Sequence, residues 1–528
     1  MSDTERPQFY ITTAIPYVNA SPHIGFALEL VQADTIARYH RLRGEDVFFQ
    51  TGADENALKN VQAAEAEGLP TRDLVDRNSG RFVDLCKTLE ISNDKFMRTV
   101  STEHFDGVEK LWRACRPEDI YKKSYKGLYC VGCETFYTED ELTDGKCPEH
   151  DRAPERVEEE NYFFRLSAYQ DRLEELIASG AYEILPETRR NEVLSFIRMG
   201  LKDFSISRSQ ERARGWGVPV PDDPSQVVYV WFDALGNYIT GLDYAHAEDD
   251  PDGLYRYWPA DTHLVGKGII RFHAVYWPAM LMSAGLPLPR RLFVHGYINL
   301  GGAKMSKSLG TVVDPTEVVG AFGAEPTRHY LIRHVHTFQD SDFSADKLAE
   351  AYNADLANGI GNLLSRSLTL IEKHCDATLR VVPCEGDDER ALRETFDAIF
   401  AQYEGLMDRC EMQQAMNKVW EGVAALDRYI NEKKPWALAK DTEQRGELEC
   451  VLCTLAEGLR MLASMIAPVM PETAAEIWRR LGMEREWASV AWDDHRRWGL
   501  LPDGATVAKG APLFPRLDRP KTPQALST

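Results

Sequence analysis

The residues in this chain best suited to chemistry lie in the run Lys304-Met305-Ser306-Lys307-Ser308. Gly301 and Gly302 precede it and Gly310 follows, so it reads as a mobile loop carrying two ammonium groups and two hydroxyls. Two lysines on such a loop can close onto a triphosphate and stabilise charge developing on departing pyrophosphate. Far upstream, Pro22-His23-Ile24-Gly25-Phe26 follows a strand-like run from Phe9 to Ile15. His23 stands near a helix start, where backbone N–H groups and the macrodipole favour anions, and Gly25 lets a nucleotide approach the backbone. Strand, tight turn and distant Lys-Ser-Lys-Ser loop form a nucleotide-activating constellation.

A second constellation has the spacing of metal ligands. Cys130, Cys133, Cys147 and His150 form C-x2-C-x13-C-x2-H. Two short-spaced pairs can close a tetrahedron around one Zn²⁺, and four protein ligands make such a site structural. The pair Cys450 and Cys453 has the same internal spacing but sits in an apolar helical stretch, Leu448 to Leu455, where thiols read as core.

Positioning these groups falls to a strand–helix alternation. Phe9 to Thr13 is β-rich, Pro22 suits a first helical position, Ala27 to Arg43 has helical periodicity, and Asp46 to Gln50 is a second strand. That βαβ unit implies a parallel sheet with ligands at the carboxyl ends of its strands, where Asp54 and Glu55 lie. Tyr121 to Glu149 reads as an insertion with short strands, and helical pattern resumes from Ser167 to Ile184. Val227 to Phe232, His263 to Gly266 and Arg291 to Val294 read as further strands, with a helix over Ile269 to Ser283, so the sheet is split by the insertion. Beyond about Ser344 the segments Leu348 to His374, Asp387 to Asp408, Glu411 to Glu432 and Thr442 to Ala467 predict a helix bundle. Pro502 to Thr528 reads as an extended tail.

Composition bounds the classes. A chain of 528 residues exceeds one compact core, and 44% hydrophobic content is that of a globular protein. No apolar run reaches the ~18 residues of a membrane span. The formal charge of −22 disfavours a protein that coats nucleic acid indiscriminately, while leaving room for local basic patches. The polar N-terminus lacks signal-peptide regions, and the cysteine usage predicts a reducing, cytoplasmic location.

Stretches such as ITTAIPYVNASPHIG, GLYCVGCETFYTEDEL, YVWFDAL, RFHAVYWPAM, AKMSKSLG and APLFPRL resemble the methionyl-tRNA synthetases, a class I family, over about residues 9–517. The resemblance implies an α/β fold: a Rossmann-type parallel-sheet catalytic domain, split by a zinc-binding connective insertion, then an all-α helix-bundle anticodon-binding domain. The implied boundaries are 1–117 and 226–300 for the catalytic halves, 118–225 for the insertion, and 301–345 for the lysine loop and stem-contact region. Residues 346–500 form the anticodon domain and 501–528 the tail. By position, Ile15, Tyr17, Trp231, Ala234, Leu235, Tyr238 and His273 resemble the methionine side-chain pocket, and Asp54 the residue that holds the substrate amine. Arg208 resembles an adenylate-site charge. His23, Lys304 and Lys307, with Gly25 and Gly266, resemble the ATP site. Cys130, Cys133, Cys147 and His150 resemble a single zinc knuckle, and Asn362, Arg366 and Trp436 the anticodon readers.

The implied activity is ATP-dependent activation of L-methionine and transfer to tRNA-Met, with Mg²⁺ accompanying ATP and one structural Zn²⁺. Many relatives dimerise through a C-terminal tRNA-binding domain that this sequence does not show, so a monomer is expected. Three positions depart from the family pattern: Phe26 replaces a second His, Asn56 stands where His commonly follows the Asp-Glu pair, and Gly268 stands where many relatives have Asp. These departures keep two rival readings in view. One is a ligase that passes the activated acyl group to a small amine; the other is a non-catalytic tRNA-binding regulator.

Overall fold

The computed structural model describes residues 6–130, 135–137, 139, 142–148, 152–247, 256–300, 303–304 and 312–518. Six strands form one parallel sheet: β1 (Gln8–Thr13), β2 (Asp46–Ala53), β3 (Lys95–Arg98), β4 (Glu183–Leu185), β5 (Thr262–Gly266) and β6 (Arg291–His295). Their order is β3-β2-β1-β5-β6-β4. Order reverses between β1 and β5, which pair through Ile11–Thr262 and Thr13–Leu264. That switch point is where open α/β sheets bind ligands.

Side chains alternate across the sheet as a period of two requires. Phe9, Ile11, Leu264 and Phe293 join the core on the side of α1 (Ile24–Leu42). Tyr10, Val265, Leu292 and Val294 join a second core shared with α2 (Thr102–Ala114) and α3 (Val230–Thr240). Both faces are covered, which suits a parallel sheet of near-continuous apolar strands.

The insertion is antiparallel: Ile120–Cys130 pairs with Glu155–Phe164 from Ile120–Phe164 to Tyr129–Glu155. Beyond it the chain forms α4 (Gly361–His374) and α5 (Met412–Lys433), which with Asp387–Asp408 and Arg445–Ile466 make the bundle. Buried Arg328 locks bundle to sheet domain. It pairs with Asp34 of α1 at 2.6 Å and donates to the carbonyls of Leu89, Pro468 and Val469. Among the described residues, no helix is long and apolar enough to cross a membrane.

Four local expectations are corrected. The expected strand Val227 to Phe232 ends at Val228, pairs antiparallel with Ser207–Ser209, and gives way at Val230 to α3; Tyr229 is its extended cap. Valine and aromatic content there misled, because the apolar positions after Tyr229 recur at helical spacing. The helix over Ser167 to Ile184 stops at Ala178, where Gly180 turns the chain with φ +79°, and Ile184 lies in β4. The helix over Leu348 to His374 is broken by a π-turn, Tyr352–Ile360, containing non-helical Gly359. Pro22 precedes the helix rather than opening it; His23 is the cap. Cys453 is buried as expected, whereas Cys450 faces Cys384, with Cα atoms 5.5 Å apart.

Candidate active site

The turn after β1 is built around His23. Its backbone is extended and its Nδ1 accepts from the N–H of Gly25 at 3.1 Å, which starts α1. The next amide, Ile24 N–H, donates to the carbonyl of Val313 at 3.1 Å. After β6, Ile298–Leu300 pairs antiparallel with Ala303–Lys304. Val313, just after the described chain resumes beyond Lys304, thus meets the His23 turn. Met305, Ser306, Lys307 and Ser308 lie outside the described residues, as does the Lys304 side chain. Gly266, at the end of β5, sits against the rings of Tyr297 and His295: a Cβ there would stand 3.3 and 3.5 Å from them.

Each departure from the family pattern has a structural account. Phe26 is buried and meets Phe82 edge-on, ring centroids 5.2 Å apart, so it completes the packing of α1 on the helix Thr71–Thr88. Gly268 lies under Tyr297, whose hydroxyl occupies the space a Cβ would need. Asn56 is buried, its Nδ2 donating to Asp233 Oδ2 at 2.7 Å and to the Thr99 carbonyl at 3.0 Å.

Of the residues expected in the methionine pocket, Ile15, Tyr17 and Asp54 lie at the carboxyl ends of β1 and β2. Tyr17 and Asp54 form a parallel bridge there, and Asp54 N–H donates to the Pro16 carbonyl at 2.9 Å. Ile15 packs over Gly52, whose absent side chain leaves it room. Trp231, Ala234, Leu235 and Tyr238 recur three and four residues apart, one face of α3. Trp231 stacks on Phe272, centroids 3.8 Å apart and planes 3° from parallel. Phe272 and His273 come from a π-turn, Phe272–Tyr276, a geometry frequent at functional sites.

Electrostatics define the wall. His273 Nδ1 lies 2.9 Å from the Ile269 carbonyl, so it carries the proton, and Nε2 accepts from the Tyr238 hydroxyl at 2.7 Å. Burial pushes His273 down to about 4 and Tyr238 well above its ordinary value. The wall is thus a neutral hydrogen-bonded pair, suited to a neutral thioether rather than a charged side chain.

Glu29 and His295 escaped the sequence reading. Both are buried, Glu29 Oε2 lies 2.9 Å from His295 Nε2, and His295 Nδ1 faces the Gly296 carbonyl at 2.7 Å. Burial raises Glu29, against the lowering influence of His295. They underlie Gly266 at the switch point. The available signal was one acidic residue inside the apolar run Phe26 to Val31 of a helix buried on nearly every side.

Other expected residues sit farther out. Arg208 is buried in the insertion-side strands, over the rings of Tyr229 at 4.2 Å and Tyr129 at 5.2 Å, donating to Ser205 Oγ and the Ser207 carbonyl. With Asn56 and Trp216 it lines a cavity of about 30 Å³. Cys130 ends its strand, Cys147 follows the Thr143–Lys146 bridge, and both are buried; Cys133 and His150 lie outside the described residues. On α4, Asn362 is exposed and Arg366 is held by Asp427 at 3.2 Å and Asn431 at 2.9 Å. Trp436, 41% exposed, is among the few exposed large apolar side chains described.

A methionine–tRNA ligase of Caldanaerobacter subterraneus is 44% identical over 514 residues, covering 97% of this chain and 79% of its own length. Another, from Brucella suis, is 42% identical over 519 residues, covering 97% of this chain and 98% of its own. This chain belongs to the methionyl-tRNA synthetase family. Models of tRNA synthetases class I (M) match residues 9–156 and 140–368, and one of the anticodon-binding domain of tRNA ligase matches 389–505. Mycobacterium tuberculosis methionyl-tRNA synthetase in complex with methionyl-adenylate superposes with a TM-score of 0.91 at 42% identity, over 97% of this chain and 100% of that one. Its apo form gives 0.85 at 38% identity, over 98% and 99%. The methionyl-tRNA synthetase architecture thus extends through both the sheet domain and the bundle.

Proposed function

We propose that the chain is a methionine–tRNA ligase. The observation that carries this reading is the wall of Trp231, Tyr238 and neutral His273, in a fold shared with a synthetase bound to methionyl-adenylate. Asp54 holds the substrate ammonium, and Ile15, Tyr17, Trp231, Ala234, Leu235, Tyr238 and His273 enclose the thioether chain. A methionine carboxylate oxygen attacks the α-phosphorus of ATP, the bond to the bridging oxygen breaks, and pyrophosphate leaves; Mg²⁺ accompanying ATP would offset phosphate charge. His23, Gly25 and Gly266 frame the nucleotide, while Lys304 and Lys307 stabilise the departing charge and Arg208 supports the adenylate side. A terminal ribose hydroxyl of tRNA-Met then attacks the methionyl carbonyl carbon and AMP leaves. Catalysis is mostly positioning and electrostatics.

The helical domain favours tRNA over a small amine as acceptor, with Asn362, Arg366 and Trp436 reading the anticodon; exposed Trp436 offers a stacking face. Cys130, Cys133, Cys147 and His150 are suited to Zn²⁺: three thiolates and an imidazole are its preferred donors, and the two described cysteines are buried. The ion would staple the insertion. We place the enzyme in the cytoplasm as a monomer.

Pyrophosphate exchange tests the first half-reaction. Purified protein with ATP and labelled pyrophosphate should exchange label only when methionine is added. Exchange without methionine, or none with it, contradicts the reading.

A further inference from the structure

Beneath the pocket runs a buried chain of hydrogen bonds that the proposed reaction does not use. Thr240 Oγ1 lies 2.8 Å from His104 Nδ1, and His104 Nε2 is hydrogen-bonded to Asp233 Oδ1. Asp233 Oδ2 accepts from Asn56 Nδ2 at 2.7 Å, and Asn56 N–H donates to Asp54 Oδ1 at 3.3 Å. Thr240, His104 and Asp233 have no exposed surface, and Asn56 is 7% exposed. No Lys or Arg pairs with Asp233 among the described residues. Its two oxygens are met by an imidazole and an amide, and it lies in the first turn of α3, where the macrodipole favours an anion.

The surrounding framework is rigid. Ser101 caps α2, accepting from the N–H of His104 at 3.3 Å. Gly107 of α2 lies directly against the Thr240 side chain of α3, with no space for a Cβ, so the two helices pack closely at this point. His104 therefore acts at one end on Asp54, through Asp233 and Asn56. Through the same Asp233 it holds the first turn of α3, next to Trp231, and at its other end, through Thr240, it ties down the last turn of that helix.

We propose that His104 is a positioning residue for methionine binding. It keeps Asp233 satisfied, and Asp233 fixes Asn56, the Asp54 carboxylate and the first turn of α3. Removing the imidazole leaves a buried carboxylate one donor short, which is costly enough to shift its neighbours. The proposal rests on the reading of Asp54 and Trp231 as methionine contacts.

The test uses the full-length protein in methionine-dependent pyrophosphate exchange, normalised to titrated active sites. In H104A the KM for methionine should rise at least tenfold, while the KM for ATP stays within twofold. H104Q, whose amide N–H can still reach Asp233, should recover most of the loss. N56A should show the same selective rise, and combining it with H104A should add little, because both act through one chain. If H104A fails to fold, N56A carries the test. An unchanged methionine KM in H104A or N56A, or equal rises for methionine and ATP, overturns the proposal while leaving the pocket reading intact. No methionine-dependent exchange in the unaltered protein overturns both.

Discussion

At the scale of single residues, the positions that depart from the family pattern are repacked rather than degraded. Gly268 and Tyr297 are the clearest case, since the tyrosine hydroxyl fills the space of the missing side chain. Gly268→Ala should cost about 1–3 kcal/mol by overpacking. Adding Tyr297→Phe should restore most of it, because the ring carbon bearing the hydroxyl stands 3.6 Å from the new Cβ. Thermal melts of the single and double variants check this; equal losses in both contradict it. His273 gives a pH prediction. Burial lowers it from 6.5 to about 4, so its contribution to stability is full above 6.5 and lost as pH falls towards 4. The wall stays neutral above pH 6, and the KM for methionine should show no inflection near 6.5; an inflection there would mean the imidazole titrates.

At the scale of elements, legibility tracked periodicity. The helix Asp387–Asp408 matches its expected bounds, and β5 and β6 agree within one residue, because strong apolar patterns ended at clear breakers. Trp231 to Tyr238 was legible as pocket only by resemblance. Its composition reads as strand, and the strand-to-helix switch at Tyr229 depends on tertiary pairing with the insertion. The network of His104, Asp233 and Asn56 was illegible, since its members are far apart in sequence and each alone reads as an ordinary polar residue. The same limit applies to Arg366, whose anchors Asp427 and Asn431 lie on α5. Trp436, on the short helix Pro435–Leu438, is more exposed than the anchored Arg366. Trp436→Ala should depress tRNA charging at least tenfold while leaving pyrophosphate exchange within twofold. Equal losses would count against anticodon reading.

At the scale of the whole molecule, the bundle is welded to the sheet domain through Arg328. Burial alone would raise the Asp34 carboxyl, but Arg328 and Arg38 hold it below its ordinary value. Breaking a buried pair strands a charge, so Arg328→Ala should destabilise the protein by about 3–5 kcal/mol, read by chemical denaturation. A loss under about 1 kcal/mol would mean the two parts stand independently. Such a weld suits an enzyme that must hold an anticodon at one end and an adenylate at the other. The most direct test is aminoacylation: purified protein, ATP, labelled methionine and either tRNA-Met or a copy with an altered anticodon. The account predicts methionine on tRNA-Met and at least tenfold less on the altered tRNA. Adenylate formation with no label on either tRNA would contradict it.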